Sequence, residues 1–221
     1  NVERMGRGRL EIDGKQNLLT NSLTMSKDAK TIYYTVSSTN FQLTNGMYEL
    51  LTVPSGRVLK YDVYANMSKV IIDELSFANG IAISPNEDFL LVNECGASTI
   101  WKYWLKGDQR GQKELFAYTP GCPDNIRPSE DGKFIVGIPV VFSEETSSFL
   151  SSISINPIIA KVVVRLYSLI QFLLERFNAN VTYVEVFAIV IHRLGNTEHS
   201  GANMVPGYGL VIEYDSEGHV V

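Results

Sequence analysis

NSLTMSKDAKTIYYT from Asn21, NGIAISPNEDFLLVN from Asn79 and DNIRPSEDGKFIVGI from Asp124 are three copies of one pattern. Sliding the first onto the second places Asn21 on Asn79, Leu23 on Ile81, Met25 on Ile83, Ser26 on Ser84 and Ile32 on Leu90. Sliding the second onto the third places Ile81 on Ile126, Ser84 on Ser129 and Phe89 on Phe134. In each copy a short strand of alternating apolar residues ends in Ser-x-Asp/Asn, which is turn chemistry. A second strand rich in β-branched and aromatic residues follows at once. Two further strand patterns trail the first copy, Gly56–Asp62 and Lys69–Asp73, and two trail the second, Thr99–Leu105 and Lys113–Tyr118.

Four antiparallel strands recurring every ~40–50 residues read as the blade of a β-propeller. One such sheet cannot cover both of its faces, so its neighbours must stack on it around an axis. The expected fold class is therefore all-β, an incomplete β-propeller of about four blades over residues 1–221. An ordinary β-sandwich is the alternative.

The last third departs from the repeat. PIIAKVVVRLYSLIQFLLERF, residues 157–177, carries apolar residues at helical spacing, with Lys161, Arg165 and Glu175 on the opposing side. Asn156-Pro157 is a sound helix start. The internal Lys161 and Arg165 argue against a membrane span. The expectation is an amphipathic helix near 157–177 laid across one end of the propeller, inside a helical and loop insertion at about 143–203; a membrane-contacting lid is the other option. A final strand, Tyr208–Tyr214, resumes the β pattern. The opening NVERMGRGRL has no signal-peptide core and reads as an internal start.

Composition narrows the partners. The chain has 45% hydrophobic and 19% charged residues, enough for a packed core, and a net charge of −5. That sign disfavours nucleic acid or an anionic membrane surface, both of which are bound through a Lys/Arg surplus. Two cysteines, Cys95 and Cys122, exclude a disulfide framework and a zinc site. Two buried free thiols are expected, with a single bridge as the alternative. Two glycosylation sequons begin at Asn66 and Asn180 and favour a secretory location.

Repeat-equivalent positions in a propeller sit at equal height and radius. Asn21, Asn79 and Asp124 share one position, before the first strand of each unit, and Asn125 adjoins the last. If that strand is innermost, all converge at one mouth of the central channel. One carboxylate and three amide oxygens describe a site for a hard cation, calcium above all, and not for a softer transition metal. The alternative is that these residues serve turns, since Asn79-Gly80 is a turn dipeptide.

SFANGIAISPNEDFLLVNE, IWKYWLKGDQRGQKELFAYTPGCPDNIRPSEDGKFIVGI and GRVLKYD resemble the strictosidine synthase-like family, in particular its animal, esterase-like branch, and more distantly the paraoxonases. The resemblance covers residues 12–140, and the helix and MVPGYGLVIEYDSEG also fit it. It implies a six-bladed propeller with Ca2+ in its central tunnel, held at positions matching Asn21, Asn79, Asp124 and Asn125. There the metal polarises an ester or lactone carbonyl and stabilises the oxyanion formed on attack by water. Three functions follow as expectations. The first is a calcium-dependent hydrolase of small esters or lactones. The second is a non-catalytic extracellular or membrane-tethered binding module, and the weakest is amine–aldehyde condensation. Retention of Asn79 favours the hydrolase over the condensing enzyme.

The resemblance also implies a secretory, membrane-tethered or extracellular protein, tethered through a segment outside this chain. Some features depart from the family. Asn21-Ser22 stands where Asn-Asp is usual, and 178–203 exceeds the usual spacing. The Glu and His residues expected from the first and last blades lie outside the chain, so the isolated chain is expected to show little turnover. His192, His199 and His219 read as surface or loop residues, and Ser143, Ser147 and Ser148 lack a nucleophile-elbow setting. Glu94 reads as structural, and Trp101, Tyr103 and Trp104 as blade packing.

Overall fold

The structure, a computed structural model, describes residues 11–141 and 209–221 together with seven positions between 158 and 172. A hairpin of β1 (Glu11–Ile12) and β2 (Lys15–Gln16) opens it. The first blade is a four-stranded antiparallel meander of β3 (Leu19–Met25), β4 (Thr31–Ser38), β5 (Gly56–Asp62) and β6 (Met67–Leu75). A 3-10 segment, Leu43–Leu51, joins β4 to β5. The second blade repeats the meander with β7 (Ala78–Ile83), β8 (Phe89–Glu94), β9 (Thr99–Trp104) and β10 (Lys113–Tyr118). A short ladder pairs β11 (Gly121–Cys122) with β14 (Val140–Val141). It flanks a third sheet of β12 (Ile126–Pro128), β13 (Phe134–Ile138) and β15 (Leu210–Tyr214).

The repeat in the sequence is a repeat of backbone conformation. After the first strand of each unit a serine carbonyl accepts the amide three residues on: Ser26 from Ala29 (2.9 Å), Ser84 from Glu87 (2.9 Å) and Ser129 from Gly132 (3.2 Å). All three acceptor turns end in a left-handed residue, with φ of 56° at Ala29, 57° at Glu87 and 85° at Gly132. In the outer two copies the turn aspartate caps the loop, Asp28 bonding Ser26 Oγ (2.7 Å) and Lys30 N (3.0 Å) and Asp131 bonding Ser129 Oγ. Those bonds hold both carboxyls below the ordinary value, Asp131 at about 2.

Side-chain alternation along the strands then builds the propeller. In the second blade Ile81, Leu90 and Val92 pack with Tyr33, Val58, Ile72 and Leu75 of the first. Their sequence neighbours Ala82 and Leu91 point the other way, joining Ile100, Phe116, Ile126, Phe134, Val136 and Tyr214. The middle sheet is thus buried on both faces, as the stacking of blades requires. Fully burying a residue such as Leu90 or Leu91 contributes about 1.5–3 kcal/mol. The first blade turns its remaining face, Val36 and Leu59, toward Ile12 of the hairpin. Arg57, buried at 0% exposure, clamps that hairpin by donating to Ile12 O (2.9 Å), Lys15 O (2.8 Å) and Asn17 Oδ1 (2.6 Å).

Strand order places β3 and β7 at one margin of their sheets, and β7 packs against both β3 and β12. The first strand of each unit is therefore innermost, the condition on which convergence of the expected site residues depends. The described residues supply two complete four-stranded blades and a three-stranded third. No α-helix stands among the described elements. Within 157–177 only Ile158, Val162, Arg165, Leu166, Leu169, Ile170 and Phe172 are described, each in helical conformation and exposed. The remainder of the expected insertion, with His192, His199, Asn180, Ser143, Ser147 and Ser148, lies outside the described residues.

One expectation is corrected. Cys95 and Cys122 are not free thiols but a disulfide, their Cα atoms 4.3 Å apart. The bridge joins the residue following β8 to the strand that leads into the third sheet. The two cysteines lie far enough apart in the chain that no local pattern reveals the pairing; only the stacking of the second and third sheets brings them together.

Candidate functional site

Asn21 and Asn79 sit inside their strands and not before them, each at an irregularity in the pairing. The β3–β4 register shifts between Thr20 and Leu23, and the β7–β8 register shifts between Ala78 and Ile81. A bulge re-aims the residues it carries and leaves them outside the ladder. Asp124 and Asn125 do precede β12, and their backbone is pinned to β13: Asp124 N donates to Gly137 O (2.8 Å) and Gly137 N donates to Asn125 O (3.0 Å).

Hydrogen bonds tie these positions together across the blades. The Asn21 amide donates to Ser37 Oγ (2.9 Å), and Ser37 in turn donates to Ala78 O (2.6 Å), one residue from Asn79. Thr35 donates to Asn79 O at 2.7 Å. On the other side Gly80 N donates to Asp124 O at 2.9 Å. Gly80 is required there, because a Cβ would fall 2.8 Å from Ile126 N, 2.9 Å from Asn125 Cα and closer still to Asp124 O. Those are backbone atoms that cannot swing aside. The disulfide at Cys122 holds the same turn two residues upstream of Asp124.

Main-chain oxygens of Asn79, Asp124 and Asn125 are thus taken up by hydrogen bonds, which leaves side-chain oxygens to consider. Asn79 is 5% exposed and its Oδ1 has no hydrogen-bond partner. A second asparagine, Asn93 on β8, is 0% exposed; its amide nitrogen donates to Asp124 O (2.8 Å) and its Oδ1 is likewise unpartnered. Leaving a buried amide oxygen without a donor costs about 1–3 kcal/mol. Among the described residues the Asp124 carboxylate has neither a salt bridge nor a hydrogen bond. A carboxylate and spare amide oxygens, with neither His nor Cys, make a donor set suited to a hard cation.

Asn93 was not among the expected site residues. Its signal was present: a lone amide directly follows the apolar run Phe89–Val92 on a largely buried strand. Other expectations resolve simply. Glu94 is buried and accepts Ser76 N (2.6 Å) and Trp101 Nε1 (2.6 Å), a structural role. Trp104 packs edge-on against Phe89, and Trp101 and Tyr103 lean on the core between the first two blades. His219 is exposed and bonds Asp215 (3.2 Å). A hollow of about 430 Å³ lies by the hairpin, lined by residues including Lys15, Thr39, Asn40, Ser55 and Glu74; none of the four expected ligands lines it.

Stacked four-stranded meanders, with bulged or strand-leading polar residues on their innermost strands, define an open β-propeller. A strictosidine synthase family model matches residues 21–108. Adipocyte plasma membrane-associated protein from Homo sapiens is 37% identical over 212 residues, covering 94% of this chain and 48% of the relative. The Drosophila melanogaster protein Hemomucin, of the same description, is 34% identical over 203 residues, covering 91% of this chain and 34% of its own length. Arabidopsis thaliana strictosidine synthase-like 10 is 36% identical over 129 residues, 58% of this chain and 34% of the relative. The chain is similar to the strictosidine synthase family over residues 21–108 and spans about a third to a half of the length of these relatives.

Among solved structures, a gluconolactonase from Xanthomonas campestris aligns with a TM-score of 0.46 and 19% identity, covering 60% of this chain and 46% of that one. The calcium-binding protein regucalcin from Agrobacterium tumefaciens aligns at 0.43 and 12%, covering 56% and 40%.

Proposed function

We propose that this chain carries the metal-holding blades of a calcium-dependent hydrolase acting on small esters or lactones. The observation that supports this most is the buried, unpartnered Asn79 oxygen on the innermost strand of one blade, next in the chain to Gly80, whose amide bonds the turn that carries the unpaired Asp124 carboxylate. Asn21, Asn79, Asp124 and Asn125 hold the cation. When bound, calcium supplies Lewis-acid polarisation of the substrate carbonyl.

The protein's own part is placement. Thr35 and Gly80 fix the bulge that carries Asn79, while Gly137 and the disulfide fix the turn that carries Asp124. Donors so fixed need no reorganisation when charge develops on a carbonyl oxygen. The same disulfide, together with an exposed sequon at Asn66, supports passage through an oxidising secretory compartment. The relatives described as plasma membrane-associated support a membrane-tethered location. Among the described residues no helix is long and apolar enough to cross a membrane.

The test is a full-length protein assayed on aryl esters and lactones, with and without chelator. Chelator-sensitive turnover that is lost in Asp124→Ala supports a hydrolase. A protein stabilised by calcium but without turnover is instead a binding module, the second reading.

A further inference from the structure

Asn93 lies on β8 opposite the bulged pair Asn79–Gly80, between the register pairs Ala78–Glu94 and Ile81–Val92. Its nitrogen end is assigned by chemistry: it donates to Asp124 O, which also accepts Gly80 N. A carbonyl oxygen cannot donate to another carbonyl oxygen, so Oδ1 must occupy the opposite branch of the Asn93 amide. With two donors already on it, Asp124 O is itself saturated. Two asparagine oxygens on adjacent strands, Asn79 Oδ1 and Asn93 Oδ1, are therefore buried and unpartnered, and both strands bond the main-chain oxygen of Asp124, the one acidic residue of the cradle. An apolar residue would fill the Asn93 position without leaving an unmet acceptor, as Leu90, Leu91 and Val92 do next to it. Asn93 brings both a donor for the Asp124 turn and a spare oxygen.

We infer that Asn93 is a further oxygen donor of the calcium cradle, its amide nitrogen positioning the Asp124 turn and its Oδ1 serving the cation. This rests on the cation site proposed above. Calcium accepts a neutral amide oxygen readily, and its affinity is tuned by the number and charge of the oxygens presented.

The experiment is a calcium titration of the whole chain by calorimetry, with urea unfolding in calcium and in chelator, for the parent, Asn93→Ala, Asn93→Asp and Asn79→Ala. Asn93→Ala is expected to weaken calcium binding about 10–100-fold. Asn93→Asp loses the nitrogen donor but keeps an oxygen and adds charge; it should be less stable than the parent in chelator and bind calcium at least as tightly. A role confined to positioning predicts instead that Asn93→Asp weakens binding as much as Asn93→Ala. That result, or parent-like affinity in Asn93→Ala alongside lost binding in Asn79→Ala, overturns the inference and leaves the cradle standing. A parent chain that binds no calcium removes the cradle and this inference together. Should Asn93→Ala not fold, the near-isosteric Asn93→Asp decides.

Discussion

The hydroxyl of Thr35 donates to the main-chain oxygen of Asn79 at 2.7 Å, joining the second strand of one blade to the bulge of the next. Both residues are buried, so no water substitutes for the bond. Thr35 also accepts Ser22 N (3.0 Å), which places it between the strand bearing Asn21 and the strand bearing Asn79. Thr35→Val keeps the shape and deletes both bonds. It should cost about 1–3 kcal/mol in urea unfolding and reduce the stabilisation gained from added calcium. Unchanged unfolding and an unchanged calcium response would show that the link does not shape the bulge.

Gly80 faces backbone on the opposite side. Gly80→Ala should push the Asp124 turn away from β7 and destabilise the chain by about 1–3 kcal/mol, as overpacking does. A paired measurement at Gly107, whose Cβ would meet nothing within 4 Å, controls for loss of glycine itself. Gly107 adopts a positive φ of 75°, so Ala there reports backbone strain without crowding. Only the Gly80 change should diminish calcium binding.

The disulfide closes a loop of 27 residues in sequence separation. On the chain-entropy account such a loop contributes about 3–4 kcal/mol. Reductant, or the Cys95→Ala/Cys122→Ala pair, should lower the thermal midpoint accordingly, and intact mass under non-reducing conditions should show no free thiol. A midpoint indifferent to reductant would be inconsistent with a bridge that is formed and structural.

Glu49 supplies a pH dependence with a definite sign. Its buried carboxyl accepts Ser55 N (2.5 Å), Ser55 Oγ (2.8 Å) and Ser38 Oγ (2.6 Å), yet burial outweighs these bonds and raises its pKa above the ordinary 4.5. Between the unfolded value and the raised folded one, the folded chain keeps a proton that the unfolded chain has released. Stability from this group is thus full below about pH 4.5 and falls as pH rises through the folded pKa. Asp28, Asp131 and Asp215 have lowered values and act in the reverse sense, losing their contribution as pH falls. Comparing Glu49→Gln with its parent cancels them. The variant should gain on the parent as pH climbs from about 4 to 7 in urea unfolding; parallel curves would contradict a raised Glu49.

Much of the fold was legible because blade strands write their period into the chain. Gly56–Asp62, Lys113–Tyr118 and Phe134–Ile138 form strands over the very residues whose alternation marks them. The 3-10 segment Leu43–Leu51 was not legible: it is short, follows no sustained period, and is held by the surrounding sheet and by Glu49. Of the candidate site, Asn79 and Asp124 were singled out by repeat position. The bulges at Asn21 and Asn79 were not legible, since a register shift arises only when two strands pair. Asn93 was missed because its repeat-equivalent partners, Thr35 and Ile138, share neither its side chain nor its role, so that comparing copies conceals it. Cys95 and Cys122 failed for the same reason as the bulges, being joined by the packing of one sheet on the next.

The third sheet takes its outer described strand, β15, from residues 210–214, although its first two strands end at Ile138. During synthesis the first two blades are complete well before that strand leaves the ribosome. Roughly seventy residues separate the two, several seconds of translation at about 5–20 residues per second. Throughout that interval β13 has a bare flank, and Phe134 lacks the cover of Tyr214. A nascent chain in this window is the species most open to capture by a chaperone or by another copy of itself.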